Sequence, residues 1–245
     1  MMNNIKTIIR NFFHILKLDV KRYNPALTEA GVISSILKSL KIDLVLDIGS
    51  NIGQFAMGIR SAGYKNNIVS FEPLSDAYSV LLKNIAKDDL WIAHDRCAIG
   101  SYDGMIIINV AGNSVSSSIL PMMQSHIDAA PNSNFFAHEE VSIFKLDSIA
   151  NNYIQSNQKI FLKIDTQGYE WNVLDGASES FDKVQGVLLE LSFIYLYEGQ
   201  HLWLDMVNRM ESLGFKLWTL IPGFSDLKTG RTLQADAIFV RNFHE

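Results

Sequence analysis

From residue 42 onward the chain alternates short, continuous apolar runs with stretches in which apolar residues recur at helical spacing. Uninterrupted apolar runs suit strands buried on both faces, and their alternation with helices suits a doubly wound, largely parallel α/β sheet. The pattern predicts strands over 42–48, 67–72, 91–94, 159–165 and 184–191, and helices over 52–62, 75–87, 168–177 and 200–213, the last closed by Gly214. Phe215–Ile221 and Ala235–Arg241 flank a loop holding Pro222, Gly223 and Gly230, so they read as an antiparallel hairpin at one edge. Further strands are expected at 104–110 and 140–146. The stretch 111–139, rich in Ser, Asn, His and Pro, reads as an inserted lid-like segment or a linker, with Ser114–Ser118 offering hydroxyls to a polar ligand.

Upstream, Ile5, Ile8, Ile9, Phe12, Phe13 and Leu16 fall at helical spacing, with Lys6, Arg10 and Lys17 largely on other faces. Thr28 suits the cap of a second helix ending near Leu40. These helices make residues 1–41 an N-terminal extension ahead of a main domain over 42–245. The first helix is expected to pack on that domain or on a second subunit of a homo-oligomer, the alternative being a membrane surface.

Bulk properties narrow the classes. No uninterrupted apolar stretch approaches the roughly 18 residues of a membrane-spanning helix, so no integral membrane segment is expected. The first residues carry no export-type cleavage pattern, and the single cysteine, Cys97, excludes an internal disulfide framework and a multi-cysteine zinc site; a cytoplasmic location is expected. The formal net charge of −5, with no basic run beyond Lys21-Arg22, argues against a nucleic-acid partner.

The clearest motif is Asp47-Ile48-Gly49-Ser50-Asn51-Ile52-Gly53, which follows Leu44-Val45-Leu46 and opens a helical pattern. Gly49 admits a close backbone approach and Gly53 close helix–strand packing, at the strand end where open α/β sheets bind ligands. The spacing is neither Gly-x-Gly-x-x-Gly nor a phosphate loop ending in Gly-Lys-Ser/Thr. Asp47 at a strand end therefore suits a cationic, phosphate-free nucleoside, and S-adenosylmethionine is that ligand. Phe71-Glu72-Pro73 ends the next strand about 25 residues later, near the spacing of a ribose-binding acid. Asp47, Gly49, Asn51, Gly53, Glu72 and Pro73 are the expected cofactor-binding residues, with Asp95 and Cys97 bordering the base.

With these pieces in view the chain resembles the FkbM family of methyltransferases over roughly residues 43–241. The likeness rests on Asp47–Gly53, on Phe71-Glu72-Pro73 followed by Asn84, on Ala98-Ile99-Gly100 and Leu146-Asp147-Ser148, on Phe161–Glu170 and on Glu190. It implies a seven-stranded class I methyltransferase (Rossmann-like) sheet, S-adenosyl-L-methionine as donor, and a hydroxyl acceptor on a small molecule or glycan. Removing the proton of such a hydroxyl calls for a base or a metal ion. Asp165 is the leading base, with Lys163 on the same side of its strand. Glu190 is expected at the site and able to neutralise Lys163, His201 is the first histidine to test, and no metal is expected. Two readings stay open beside this one: a nicotinamide-dependent oxidoreductase, and a non-catalytic binding protein that keeps the fold.

Overall fold

A computed structural model describes residues 24–241 together with residues 7, 10–13 and 15–18. Residues 10–13 are helical, whereas Ile5, Lys6, Ile8 and Ile9, on which the expected amphipathic helix also rests, lie outside the described residues.

Among the described residues ten strands follow in chain order: β1 (Leu44–Ile48), β2 (Asn67–Phe71), β3 (Trp91–Ala93), β4 (Ala98–Ile99), β5 (Gly104–Ala111), β6 (Phe135–Phe144), β7 (Ile160–Ile164), β8 (Val184–Ser192), β9 (Phe215–Pro222) and β10 (Gln234–Arg241). The helices are α1 (Glu29–Ser39), α2 (Gln54–Ser61), α3 (Ser75–Ile85), α4 (Gln124–Ala129), α5 (Leu146–Ile149), α6 (Glu170–Asp175) and α7 (Trp203–Ser212). Seven strands form one sheet in the order β3-β2-β1-β7-β8-β10-β9. The first five are parallel, and β10 runs antiparallel to both β8 and β9, so that β9 and β10 form the antiparallel edge pair that the hairpin reading anticipated.

Period-two alternation assigns each strand's side chains to two cores. Leu44, Leu46 and Ile48 join Ile160, Leu162, Ile164, Val187, Leu189 and Phe239 under α6 and α7. Val45, Phe161, Leu188, Ile238 and Val240 face the other way, where α1 contributes Ile33, Ile36 and Leu37 and α2 contributes Ala56 and Ile59. Thr28 caps α1 by accepting from the Gly31 backbone N–H at 3.1 Å.

The chain between β3 and β7 departs from the expectation. In place of a strand at 140–146, β6 starts at Phe135, inside the expected lid, and Leu146 opens the short helix α5. The segment is a three-stranded sheet of order β4-β6-β5. Its strand β6 was obscured by its outward polar residues: Val141 and Ile143 are buried, whereas His138 and Glu140 are exposed. Inward-facing Glu139 accepts from the Ser75 N–H and from Arg96, which pins β6 to the start of α3. Where this small sheet meets α6, the backbones of Gly100 and Gly176 touch, and a Cβ on Gly176 would lie 1.9 Å from the Gly100 carbonyl oxygen.

Gly176→Ala is therefore expected to cost about 1–3 kcal/mol of stability in urea unfolding, by overpacking. Gly58→Ala, inside α2 with only Ala30 Cβ at 3.6 Å, should be neutral or stabilising by up to about 1 kcal/mol.

Candidate active site

The site forms beyond the carboxyl ends of β1, β2 and β7. After β1 the backbone enters the left-handed region at Gly49 (φ 71°), Asn51 (φ 49°) and Gly53 (φ 91°). A Cβ on Gly49 would fall 1.9 Å from the Asp165 carbonyl oxygen, and one on Gly53 would fall 2.6 Å from the Trp91 ring. Both glycines thus let the loop lie against its neighbours, Gly49 against the end of β7 and Gly53 against β3. Asn84 donates to the Ile52 carbonyl at 2.8 Å and ties α3 to the same loop.

Glu72, only 3% exposed, accepts the Asn51 N–H at 2.7 Å and the Leu74 N–H at 2.9 Å. Burial pushes its carboxyl up to about 7, against the pull of those two backbone donors. Each oxygen keeps a lone pair for a ligand hydroxyl.

Lys163 occupies the middle of the site. Its ammonium lies 3.2 Å from Asp47 Oδ1 and 3.5 Å from Asp165 Oδ2, and donates to the Gly49 carbonyl at 2.7 Å. Burial alone would lower its pKa, but the two carboxylates outweigh that and raise it, so Lys163 is charged. Asp47 is fully buried; burial drives its pKa upward and Lys163 pulls it back. Asp47 Oδ2 accepts from the Ser70 hydroxyl at 3.2 Å, and that oxygen in turn accepts from Trp91 Nε1 at 3.0 Å.

The turn after β7 is shaped by Glu170, whose Oε1 accepts from the Thr166 and Gly168 N–H groups at 2.9 and 3.1 Å. This holds Gln167 left-handed (φ 54°). Gln167 Nε2 donates at 2.8 Å to both Asp165 Oδ1 and Glu190 Oε2, and its Oε1 accepts from the Tyr197 hydroxyl. Glu190 also accepts from Gln234 at 2.6 Å. Its pKa is raised by burial and by the Asp165, Glu170 and Asp236 carboxylates.

These loops enclose a cavity of about 520 Å³, in the range of small-molecule pockets. Of the expected site residues, Gly49, Asn51, Glu72, Pro73, Cys97, Lys163 and Asp165 line it. Asp47, Gly53 and Glu190 stand behind that wall. Glu190's partners are the Gln167 and Gln234 amides, whereas the carboxylates paired with Lys163 are Asp47 and Asp165. Asp95 is exposed and lies off the cavity, while burial pushes the Cys97 thiol up to about 12, leaving a neutral group in its wall. His201 stacks on Trp171, ring centroids 3.8 Å apart, away from the cavity. Among the described residues no group of three or more His, Cys, Asp or Glu side chains is arranged to hold a metal ion.

Lining groups that were not anticipated as site residues include Glu29, Gln54, Thr166, Gln167 and Asp236. Asp236 had a readable signal, a lone acid in the apolar strand Ala235–Val240. The serine run proves to be wall: Ser114 hydrogen-bonds Asn51 at 3.1 Å, and Ser118 donates to the Gln167 carbonyl at 2.6 Å. The lining carries four carboxylates, Glu29, Glu72, Asp165 and Asp236, against one cation, Lys163.

Comparison with known proteins places the chain in a family. The model of the Methyltransferase FkbM domain matches residues 47–217. Methyltransferase 1 of Beauveria bassiana (strain ARSEF 2860) is 24% identical over 160 residues, which are 60% of this chain and 64% of that protein, so the chain spans less than two thirds of that relative. Among solved structures, Aeropyrum pernix fibrillarin with natively bound S-adenosyl-L-methionine is 9% identical, with TM-score 0.47 over 85% of this chain and 74% of its own. An rRNA methylase from Streptococcus thermophilus is also 9% identical, with TM-score 0.47 over 91% of this chain and 100% of its own.

Lys163→Met would strand Asp47 in the interior without its counter-charge. A loss of about 3–5 kcal/mol is expected in urea unfolding at pH 8, and pairing the change with Asp47→Asn should recover a large part of it.

Proposed function

Because this chain belongs to the FkbM methyltransferase family, whose members take the methyl group from S-adenosylmethionine, we propose that it methylates a hydroxyl of a small molecule or glycan. The observation that carries this reading is the charge of the cavity wall: four carboxylates and one lysine already bound to two of its neighbours. Such a wall favours a cationic, phosphate-free nucleoside and repels a diphosphate or a nucleic-acid backbone. The same argument weighs against a nicotinamide dinucleotide, since Lys163 has no capacity left for a pyrophosphate.

The donor supplies a methyl group activated on a sulfonium. Glu72 is placed to take the ribose hydroxyls, held by its two backbone donors. Gly49 and Asn51 give the donor a wall of backbone and amide. Lys163 fixes the relation of that wall to β7 through the Gly49 carbonyl. On the acceptor side Asp165 lines the cavity with its carboxylate already engaged by Lys163 and Gln167. That engagement suits it to orient the acceptor hydroxyl, and precise orientation is the larger part of the rate in an in-line transfer. Ser117, Ser118 and Thr166 add polar groups to the same wall. Retention of these groups in one cavity speaks for catalysis over mere binding.

Calorimetry with S-adenosylmethionine tests the donor half. Donor affinity should be highest above about pH 7 and weaken by up to about tenfold per unit below it, as Glu72 is protonated, and Glu72→Gln should be weak and flat across that range. No binding to the folded protein would remove the reading. The acceptor half is tested by incubating methyl-labelled donor with small-molecule and glycan fractions of the source cells and identifying the labelled product. With that acceptor, Asp165→Asn should lower kcat at least about 100-fold while changing donor affinity less than about threefold.

A further inference from the structure

Resting on the hydroxyl-methyltransferase reading, we propose that Asp236 is the group that takes the proton from the acceptor hydroxyl. Asp236 lies on β10 and lines the same cavity as Lys163 and Asp165. Strand alternation places it on the face of Ile238 and Val240, toward α1. Of the other carboxylates around it, Glu29 at the start of α1 is exposed to solvent, and the more buried ones are occupied. Asp165 is bound by Lys163 and Gln167, Glu190 by two amides, and Glu170 by the backbone of its own turn. Among the described residues the Asp236 carboxylate has no hydrogen-bond or ion-pair partner. A half-buried carboxylate without a partner is costly to keep, and its free lone pairs are what a hydroxyl donor needs.

The groups around Asp236 make it basic. Glu29 faces it from α1, Lys163 and Asp165 from β7 and the turn after it, and Glu190 stands opposite in register on β8; on β9 the neighbour is Ile221. Burial first, then Asp165 and Glu29, raise its pKa to about 7, and Lys163 pulls the other way. A carboxylate poised there is neutralised by one proton at no great departure from working pH, which is what a general base requires. In the step, the acceptor oxygen forms its bond to the methyl carbon while the carbon–sulfur bond breaks with its electron pair remaining on sulfur. The hydroxyl proton passes to an Asp236 oxygen and then to solvent.

The test compares wild type, Asp236→Asn and Asp236→Glu on the acceptor that the labelled-donor screen yields. Expected for Asp236→Asn are donor affinity within about threefold of wild type, kcat lower by at least about 100-fold, and loss of the limb on which wild-type kcat rises with pH to a plateau above about 7. Asp236→Glu should restore part of kcat and the limb.

A readout independent of turnover accompanies it. An acid whose folded pKa is raised stabilises most below its unfolded pKa, and that contribution is lost as pH rises through the folded value. Asp236→Asn should therefore raise Tm by several degrees at pH 8, by clearly less at pH 5 and scarcely at all below about pH 4, whereas a carboxylate with a structural partner would make the same change lower Tm at pH 8. Unchanged kcat with the limb intact, or a Tm lowered at pH 8, overturns the proposal. A wild-type protein that binds donor but labels no hydroxyl in any fraction overturns the acceptor reading instead, and this inference falls with it.

Discussion

One buried ammonium group sets the geometry of the site. Lys163 is the last residue but one of β7, level with Asp47 on β1 and Leu188 on β8. Removing its charge from water costs several kcal/mol, which only close opposite charge and hydrogen bonds offset. Asp47, Asp165 and the Gly49 carbonyl provide them within 3.5 Å. Because Asp47 also holds Ser70, and Ser70 holds Trp91, one polar chain crosses β7, β1, β2 and β3. The glycine loop and the Asp165–Gly168 turn are thereby fixed relative to each other before any ligand arrives, which is the preorganisation that a transfer between two bound molecules demands.

Around this centre the carboxylates divide by environment. Asp47 is sealed in and balanced by one lysine, so it serves the fold. Glu72 is nearly as buried, but its partners are backbone amides and its remaining lone pairs face the cavity. Glu190 is buried among other acids and two amides, and burial and those acids raise its pKa. Identical functional groups thus acquire different work from burial and from what sits within hydrogen-bond reach.

Much of the sheet was legible because its strands are buried on both sides and so read as unbroken apolar runs. Leu44–Ile48 and Ile160–Ile164 fall within the expected spans, and the Pro- and Gly-marked reversal before Gln234 identified the antiparallel edge. The three-stranded insert was read less well. Strand β6 alternates, with one wet face, and its start at Phe135 was masked by a polar neighbourhood. At the site, residues next to glycines or strand ends could be placed near the cavity, yet which carboxylate meets which cation could not, because pairing is decided across strands distant in sequence. Asp47 and Lys163 are partners only because β1 and β7 run side by side in register. Gln167 reaches Glu190 on β8, 23 residues away, and Asp236 comes level with that same residue only through strand register, and no local spacing announces either. His201 was attractive as a titratable group, but the Trp171 ring claims its face.

The insert between β3 and β7 separates two kinds of change that a sequence can undergo. Its own hydrogen-bonded ladder, β4-β6-β5, carries Ser114–Ile119 to the cavity without borrowing a strand from the seven-stranded sheet. Replacing side chains along that short stretch reshapes one wall while strand registers, Lys163 and Glu72 keep their places. What the cavity admits can then drift by small substitutions at Ser117 to Ile119, in a region whose folding is locally secured, without rebuilding the seven-stranded sheet.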